Sequence, residues 1–297
     1  MTRFEIVKKA LDDLWELIAE TDEDRIAKVS EAQRQLSNKY FNLNQKDCII
    51  DYSSPATQFA YIFTYTGAHA DIVYQLITKL HYLRTIPLTG AFYLASLGGG
   101  PGSDMLGAMK FFEKFKGKDI KFTHNSFDKE SSWSHCWASI TAECIEDSLY
   151  KQILPTFHVQ DVTDKIFRIK RYLNANLFTL TYFLSEIQSI KDDAAWFMGE
   201  FFNNISIGSY VIIVDNDMDE VKNYVHELIN NKFNILIESS EDMRLSYDED
   251  KLALSSYMSK LNRCPRLTAK AYYCIVLHKK YHENYRVKKL PPRHLRQ

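Results

Sequence analysis

The run LASLGGGPGSDMLGAM constrains this chain more than any other stretch. An apolar segment ends in Gly98, Gly99, Gly100, Pro101 and Gly102, and a helical pattern opens at Ser103 or Asp104. Glycines let the backbone turn sharply and approach a ligand closely, and a helix N-terminus offers unpaired amides to whatever sits there. The junction predicts a strand, a tight loop and a helix within an α/β domain. Its glycines serve either a bound ligand or a tight connection alone.

From residue 87 onward, short β-rich runs alternate with helical pattern, as in a parallel sheet with crossovers. Strands are expected at 91–97, 120–127, 156–162, 177–184, 209–215, 233–239 and 271–278, with helices at 103–115, after Trp133, at 192–204 and at 218–231. The expected architecture is α/β, a Rossmann-like seven-stranded and mostly parallel sheet with helices on both faces, spanning residues 87–280. Residues 1–86 read as an N-terminal helical extension. Phe4, Val7, Leu11, Leu14 and Ile18 form one helical stripe, and a second helix begins at Ser54-Pro55, with Ser54 as cap and Gly67 interrupting or bending it. Residues 281–297 read as a basic tail.

Composition narrows the function classes. The 297 residues hold 37 Lys and Arg against 38 Asp and Glu, so the whole molecule has no electrostatic drive toward phosphate backbones or anionic membranes. Five cysteines, Cys48, Cys136, Cys144, Cys264 and Cys274, form no CxxC pair, which argues against a disulfide framework or zinc knuckle and for a reducing compartment, cytoplasmic or nuclear. The N-terminus lacks the basic-then-apolar order of a signal peptide, and no stretch has the length of a membrane span. No histidine spacing suits a metal, and neither a GxSxG elbow nor a GK[ST] phosphate loop occurs. The stretch from His278 carries seven Lys or Arg against one acid, with Tyr281 and Tyr285 interleaved, so the tail is a candidate RNA contact or a solubilising end.

Gly98, Gly100 and Gly102 give the spacing G-x-G-x-G with Pro101 inside it. This resembles motif I of class I S-adenosylmethionine-dependent methyltransferases, whose loop wraps the amino-acid end of the cofactor. The resemblance implies S-adenosylmethionine as cofactor and a set of further positions. Ser96 stands where the family usually has an acid for the methionyl amino group, and Asp104, just after the loop, is the candidate replacement. An acid at the end of the second strand would hold the ribose, which points to Asp128, with Asn125 as alternative. Asp161 and Val162 would meet the adenine, with Gln160 as fallback, although Asp161 also suits a turn aspartate that caps a helix starting at Thr163 or Asp164. Trp133 would lie near the adenine or in the core.

The fourth strand ends as TLTYFLSEI, where the family places residues that face the transferred methyl. The resemblance makes Tyr182 and Glu186 the catalytic candidates, with Ser185 beside them, for acceptor contact or proton removal. The N-terminal helices are expected to close over the cofactor, with Tyr61 and Tyr65 the aromatics to test. The implied activity is methyl transfer to an acceptor that the sequence leaves open among RNA, protein and small molecule. Ser96 in place of the usual acid keeps a second reading open: a catalytically silent relative that senses the cofactor or binds a partner.

Overall fold

The computed structural model describes residues 2–42, 50–83, 86, 89–115, 120–147, 153–229, 231–244 and 251–279. The basic tail expected at 281–297 and Cys48 lie outside the described residues.

The chain opens with helix α1 (Arg3–Ile18), whose Thr2 and Glu5 form a reciprocal capping box. The stripe Phe4, Val7, Leu11, Leu14 and Ile18 is buried, as its spacing requires. Helix α2 (Asp22–Phe41) comes next, unanticipated because its charged sequence buries only Val29, Ala32, Gln33 and Leu36. Helix α3 (Pro55–Tyr61) starts with proline in its first turn, but the Ser54 side chain makes no capping bond, correcting that expectation. A π-helical turn over Ile62–Thr66 then leads into α4 (Gly67–Tyr82). Gly67 itself is helical, and the π turn changes the helix instead. Glycine is required there because a Cβ would stand 2.8 Å from the Phe4 ring that packs α1 down.

The sheet comprises β1 (Gly90–Leu97), β2 (Ile120–Asp128), β3 (Ile153–Val159), β4 (Leu177–Thr181), β5 (Tyr210–Asn216), β6 (Phe233–Arg244) and β7 (Thr268–His278), in spatial order β3-β2-β1-β4-β5-β7-β6. All pairings are parallel except those of β7, which runs antiparallel to β5 and β6. Helices α5 (Ser103–Lys114), α6 (Trp133–Asp147), α7 (Leu184–Ile187), α8 (Lys191–Asn204), α9 (Asp219–Leu228) and α10 (Ser255–Leu261) complete the described α-helices, with short 3-10 turns at Arg168–Tyr172, Gln188–Ile190 and Lys251–Leu254. The sequence placed every strand, with shifts at the ends: β3 begins and ends three residues early, because Gln160 and Asp161 are spent on a turn. Strand β4 stops at Thr181 because Tyr182 takes a positive φ of 54°. Strand β6 runs on into the polar stretch through Arg244, paired with Thr268 of β7.

Alternate residues of the central strands feed two cores. Phe92, Leu94, Ile212, Val214, Tyr273 and Ile275 point into one, which also holds the buried stripes of α1, α3, α4 and α5. Ala95, Leu97, Val211, Ile213, Cys274 and Val276 point into the other, under α8 and α9. The N-terminal helices thus share a continuous core with the sheet, and packing does not break near residue 86. Helices α4 and α5 approach so closely that a Cβ on Gly107 would lie 2.4 Å from the Ala70 carbonyl oxygen and 2.9 Å from Val73 Cβ. Backbone cannot yield as a side-chain tip can. Gly107→Ala is therefore expected to lower the unfolding free energy by about 1–3 kcal/mol, read from urea denaturation. An unchanged midpoint would show that the two helices have room to spare.

Candidate functional site

The sheet order reverses between β1 and β4, with β2 and β3 on one side and β5 on the other. In open α/β sheets the crevice beyond the carboxyl ends of the strands at such a point is where ligands bind. A cleft of about 1110 Å³, the open solvent at its mouth included, lies there. Its wall draws on the end of β1 and the glycine loop (Leu97, Gly98, Gly100), the end of β2 (Phe127, Asp128, Lys129), and the turn after β3 (Gln160, Asp161, Val162). Thr181, Tyr182, Phe183 and Glu186 come from the end of β4 and from α7.

The loop is fixed by its own amides. Gly98 and Gly99 N–H both donate to the Phe127 carbonyl, at 2.8 and 3.2 Å, and Gly100 N–H donates to Asp128 Oδ2 at 2.9 Å. Gly98 and Gly100 have φ of +65° and +47°, where glycine is favoured, and a Cβ on Gly98 would fall 2.4 Å from the Phe183 ring. Asp128 Oδ1 also accepts from Glu130 N–H at 2.9 Å. Burial outweighs both bonds and pushes its carboxyl up to about 6. Gly102 caps α5 against Trp137 and does not line the cleft.

Two positions expected at the cofactor lie beneath the cleft instead. Ser96 is fully buried, with its Oγ 2.9 Å from His124 Nε2 and 2.8 Å from Thr179 Oγ1. Asp104 is equally buried, accepting from Thr179 Oγ1 at 3.0 Å and Thr181 Oγ1 at 2.7 Å, so its charge reaches the wall only through Thr181. Burial raises the Asp104 carboxyl above the usual range, and drives His124 down to about 3, which leaves its imidazole neutral. Asn125 faces away within β2, with its Oδ1 3.2 Å from His158 Nε2.

Asp161 lines the cleft and also closes a turn, Oδ1 accepting Thr163 N–H at 2.8 Å and Oγ1 at 2.9 Å. Val162 lies beside it in the wall. Gln160 lines the cleft too, but its amide is occupied by the Asp161 and Ile166 carbonyls and the Arg168 N–H.

Tyr182 and Glu186 both line the cleft. Tyr182 stacks on His69 with centroids 4.3 Å apart, its N–H bonds the Val214 carbonyl at 2.7 Å, and its buried hydroxyl has no hydrogen-bond partner among the described residues. Glu186 Oε1 accepts from Tyr52 OH at 2.8 Å and Tyr40 OH at 3.4 Å. Burial lifts Glu186 to about 7 against the Tyr52 bond, with the Asp128 and Asp215 charges adding to the rise. Ser185 does not reach the cleft; its N–H is held by Asp215 at 2.9 Å.

The segment before the sheet borders the cleft. Ile50, Tyr52 and Tyr61 line it, and Tyr52, Tyr61 and Trp133 form a corner of three rings with centroids 5.2–5.5 Å apart. Tyr65 sits behind this corner against Tyr40 and His69. Tyr40, Tyr52 and Lys129 were missed in the sequence. Tyr52 stands just before the Ser54-Pro55 helix start, the single local signal that bore on it.

A carboxyl whose folded value is raised binds its proton more tightly in the folded than in the unfolded state, so its contribution to stability falls as pH rises from about 4.5 to about 7. Glu186→Gln removes that loss. Relative to the parent, the variant is expected to gain on the order of 1–2 kcal/mol between pH 5 and pH 8, discounted for solvent reaching Glu186 through the cleft. Parallel urea titrations at the two pH values check it, and a difference independent of pH would refute the raised value.

No family model matches the chain, and no curated protein matches it. Among solved structures it is similar to a methyltransferase from Pyrococcus furiosus, at 13% identity and a TM-score of 0.40 over 69% of this chain and 83% of that one. It is also similar to an arsenic(III) S-adenosylmethionine methyltransferase from Chlamydomonas reinhardtii, at 12% identity and a TM-score of 0.39, covering 66% of each chain. A third likeness is to TrmN from Thermus thermophilus, at 9% identity and a TM-score of 0.41, over 71% of this chain and 52% of that one. The strand order, with β7 alone antiparallel, gives this chain the seven-stranded Rossmann-like fold that class I methyltransferases use.

Proposed function

We propose that the chain binds S-adenosylmethionine in this cleft and transfers its methyl group to an acceptor held against α7. The observation that carries the reading is that the glycine loop, Asp128, the Asp161-Val162 turn and the Tyr182–Glu186 pair all line one cleft at the switch point. Asp128 keeps lone pairs beyond the two amides it accepts, and a carboxylate with spare acceptor sites suits paired ribose hydroxyls. Asp161 and Val162 suit the adenine edge. Thr181 donates to Asp104 and so leaves its own oxygen lone pairs toward the cleft, where the methionyl amino group would need an acceptor. Ser96 takes no part in that contact.

When bound, the cofactor supplies a methyl carbon made electrophilic by a sulfonium. The protein's share is positioning and exclusion of water: the rings of Tyr52, Tyr61 and Trp133 wall the acceptor side, Tyr182 helps to line it, and Glu186 offers it a carboxylate. The silent alternative has one observation in its favour, the turning of Ser96 away from the cleft where the family usually has an acid.

Calorimetric titration with S-adenosylmethionine and S-adenosylhomocysteine, with NADH as control, tests the cofactor. Saturable binding of both sulfur ligands is expected, with none of NADH. Gly100→Arg is expected to abolish it, and Asp128→Asn to weaken it by about 10- to 100-fold, the value of a charge-assisted hydrogen-bond pair. No binding of either sulfur ligand to the parent would sink the reading. Binding without turnover across alcohol, amine and thiol acceptors would leave the silent relative.

A further inference from the structure

Among the described residues the charged lining of the cleft is unbalanced, with three carboxylates, Asp128, Asp161 and Glu186, against one ammonium, Lys129. On the reading above, the first two lie along the cofactor side and Glu186 toward the acceptor, within electrostatic reach of Asp128 and Lys129. Glu186 is tethered by the Tyr52 and Tyr40 hydroxyls and stands beside the three-ring corner of Tyr52, Tyr61 and Trp133. Ring faces attract cations, and a carboxylate neutralises them.

We propose that the acceptor is a small organic amine that enters the cleft as its ammonium ion, seated against the aromatic corner with Glu186 as counter-ion. This rests on the methyltransferase reading. A carboxylate or phosphate acceptor would meet Glu186 as a like charge, and a neutral alcohol would leave it unmatched. The ammonium gives one proton to the Glu186 carboxylate, which exposes the nitrogen lone pair. That pair forms the N–C bond to the sulfonium methyl while the C–S bond breaks and its electrons stay on sulfur, so the products are the thioether and the methylated ammonium. Glu186 returns its proton to water at the open side of the cleft. Tyr40 and Tyr52 are positioning residues that hold the carboxylate toward the rings.

The groups facing Glu186 are Tyr40 of α2, Tyr52 and Tyr61 of the N-terminal segment, Asp128 and Lys129 after β2, and Asp215 of β5. Burial holds the three phenols well above their ordinary range, so they stay protonated at neutral pH. Ammonium affinity is then expected to rise as Glu186 ionises through about 7.

The test is calorimetry on the full chain saturated with S-adenosylhomocysteine, using benzylamine and n-butylamine against benzyl alcohol and benzoate, with an acetylated and amidated Gly-Lys-Gly peptide as the macromolecular source of the same ammonium. At about pH 8 the amines are expected to bind at least about tenfold tighter than benzyl alcohol, with benzoate weakest. That preference should shrink below about threefold at about pH 5.5 and in Glu186→Gln, while the variant's affinity for S-adenosylhomocysteine changes by less than about threefold. Tyr52→Phe should shift the midpoint of the pH dependence upward, a change that loss of packing alone would not produce. The proposal is overturned if S-adenosylhomocysteine binds and the amines bind no better than the alcohol, if their preference survives in Glu186→Gln, or if the peptide binds tighter than the free amines. Failure of S-adenosylhomocysteine itself to bind would instead overturn the methyltransferase reading, and the acceptor with it.

Discussion

Asp128 ends β2 with its carboxylate turned back toward β1, where one oxygen accepts the Gly100 amide and the other the Glu130 amide. Those two bonds hold the glycine loop at positive φ and start the turn that leads to α6. With the two amides that Gly98 and Gly99 donate to the Phe127 carbonyl, they tie the ends of β1 and β2 into one rigid rim. Everything else in the cleft is placed against this rim: Phe183 fills the space a side chain at Gly98 would need, and Trp133 lies 4.0 Å from where a Cβ on Gly100 would stand. A carboxylate held in so dry a place resists ionisation, yet each backbone amide it accepts favours its charge, and the balance leaves it near 6.

The same balance recurs below the rim. Asp104 sits at the first turn of α5, where the helix dipole favours an anion, and takes two threonine hydroxyls from the end of β4. This joins the helix after β1 to the strand beside β1 across the switch point, so the crevice is braced from beneath by a buried polar network rather than by apolar contact alone. Ser96 and His124 extend that network into β2. The residue type at position 96 is what the bracing needs, since a larger acid there would stand in the midst of Thr179, His124 and Asp104.

The range of each interaction decides how much of this could be read from the sequence. The strands were legible because Phe92 and Leu94 against Ala95 and Leu97, or Ile212 and Val214 against Val211 and Ile213, alternate between two cores. The glycine loop was legible because its conformation is set locally by Gly98 and Gly100. Asp128 and Glu186 were placed by their positions just after strands, which topology carries to the cleft. Asp104 was misplaced by that logic: one helical residue past the loop turns its side chain under the sheet instead of into the cleft. Helix α2 was invisible because its buried residues are few and scattered among charges. Tyr40 and Tyr52 were invisible for a different reason, since each meets Glu186 across more than 130 residues of sequence separation. Gly107 carried no signal, because a glycine needed for helix approach looks like any glycine in a helix.

The N-terminal helices therefore belong to the cleft energetically as well as spatially. Glu186 on α7 would face open solvent without Tyr52 and Tyr61, and exposure would return its carboxyl toward the ordinary range, where it is a poorer proton acceptor. Tyr182 depends on them too, because its positive φ is held by the Val214 carbonyl below and its ring is clamped by His69 of α4 above. Strained backbone persists where its surroundings over-determine it. The π turn that separates α3 from α4 sets where His69 falls relative to Tyr61, and so decides how the aromatic corner and the tyrosine at the end of β4 come to share one cleft. A sheet with a glycine loop offers a cofactor crevice. The segment that precedes it in the chain supplies the aromatic wall of Tyr52 and Tyr61 against the Glu186 carboxyl of α7.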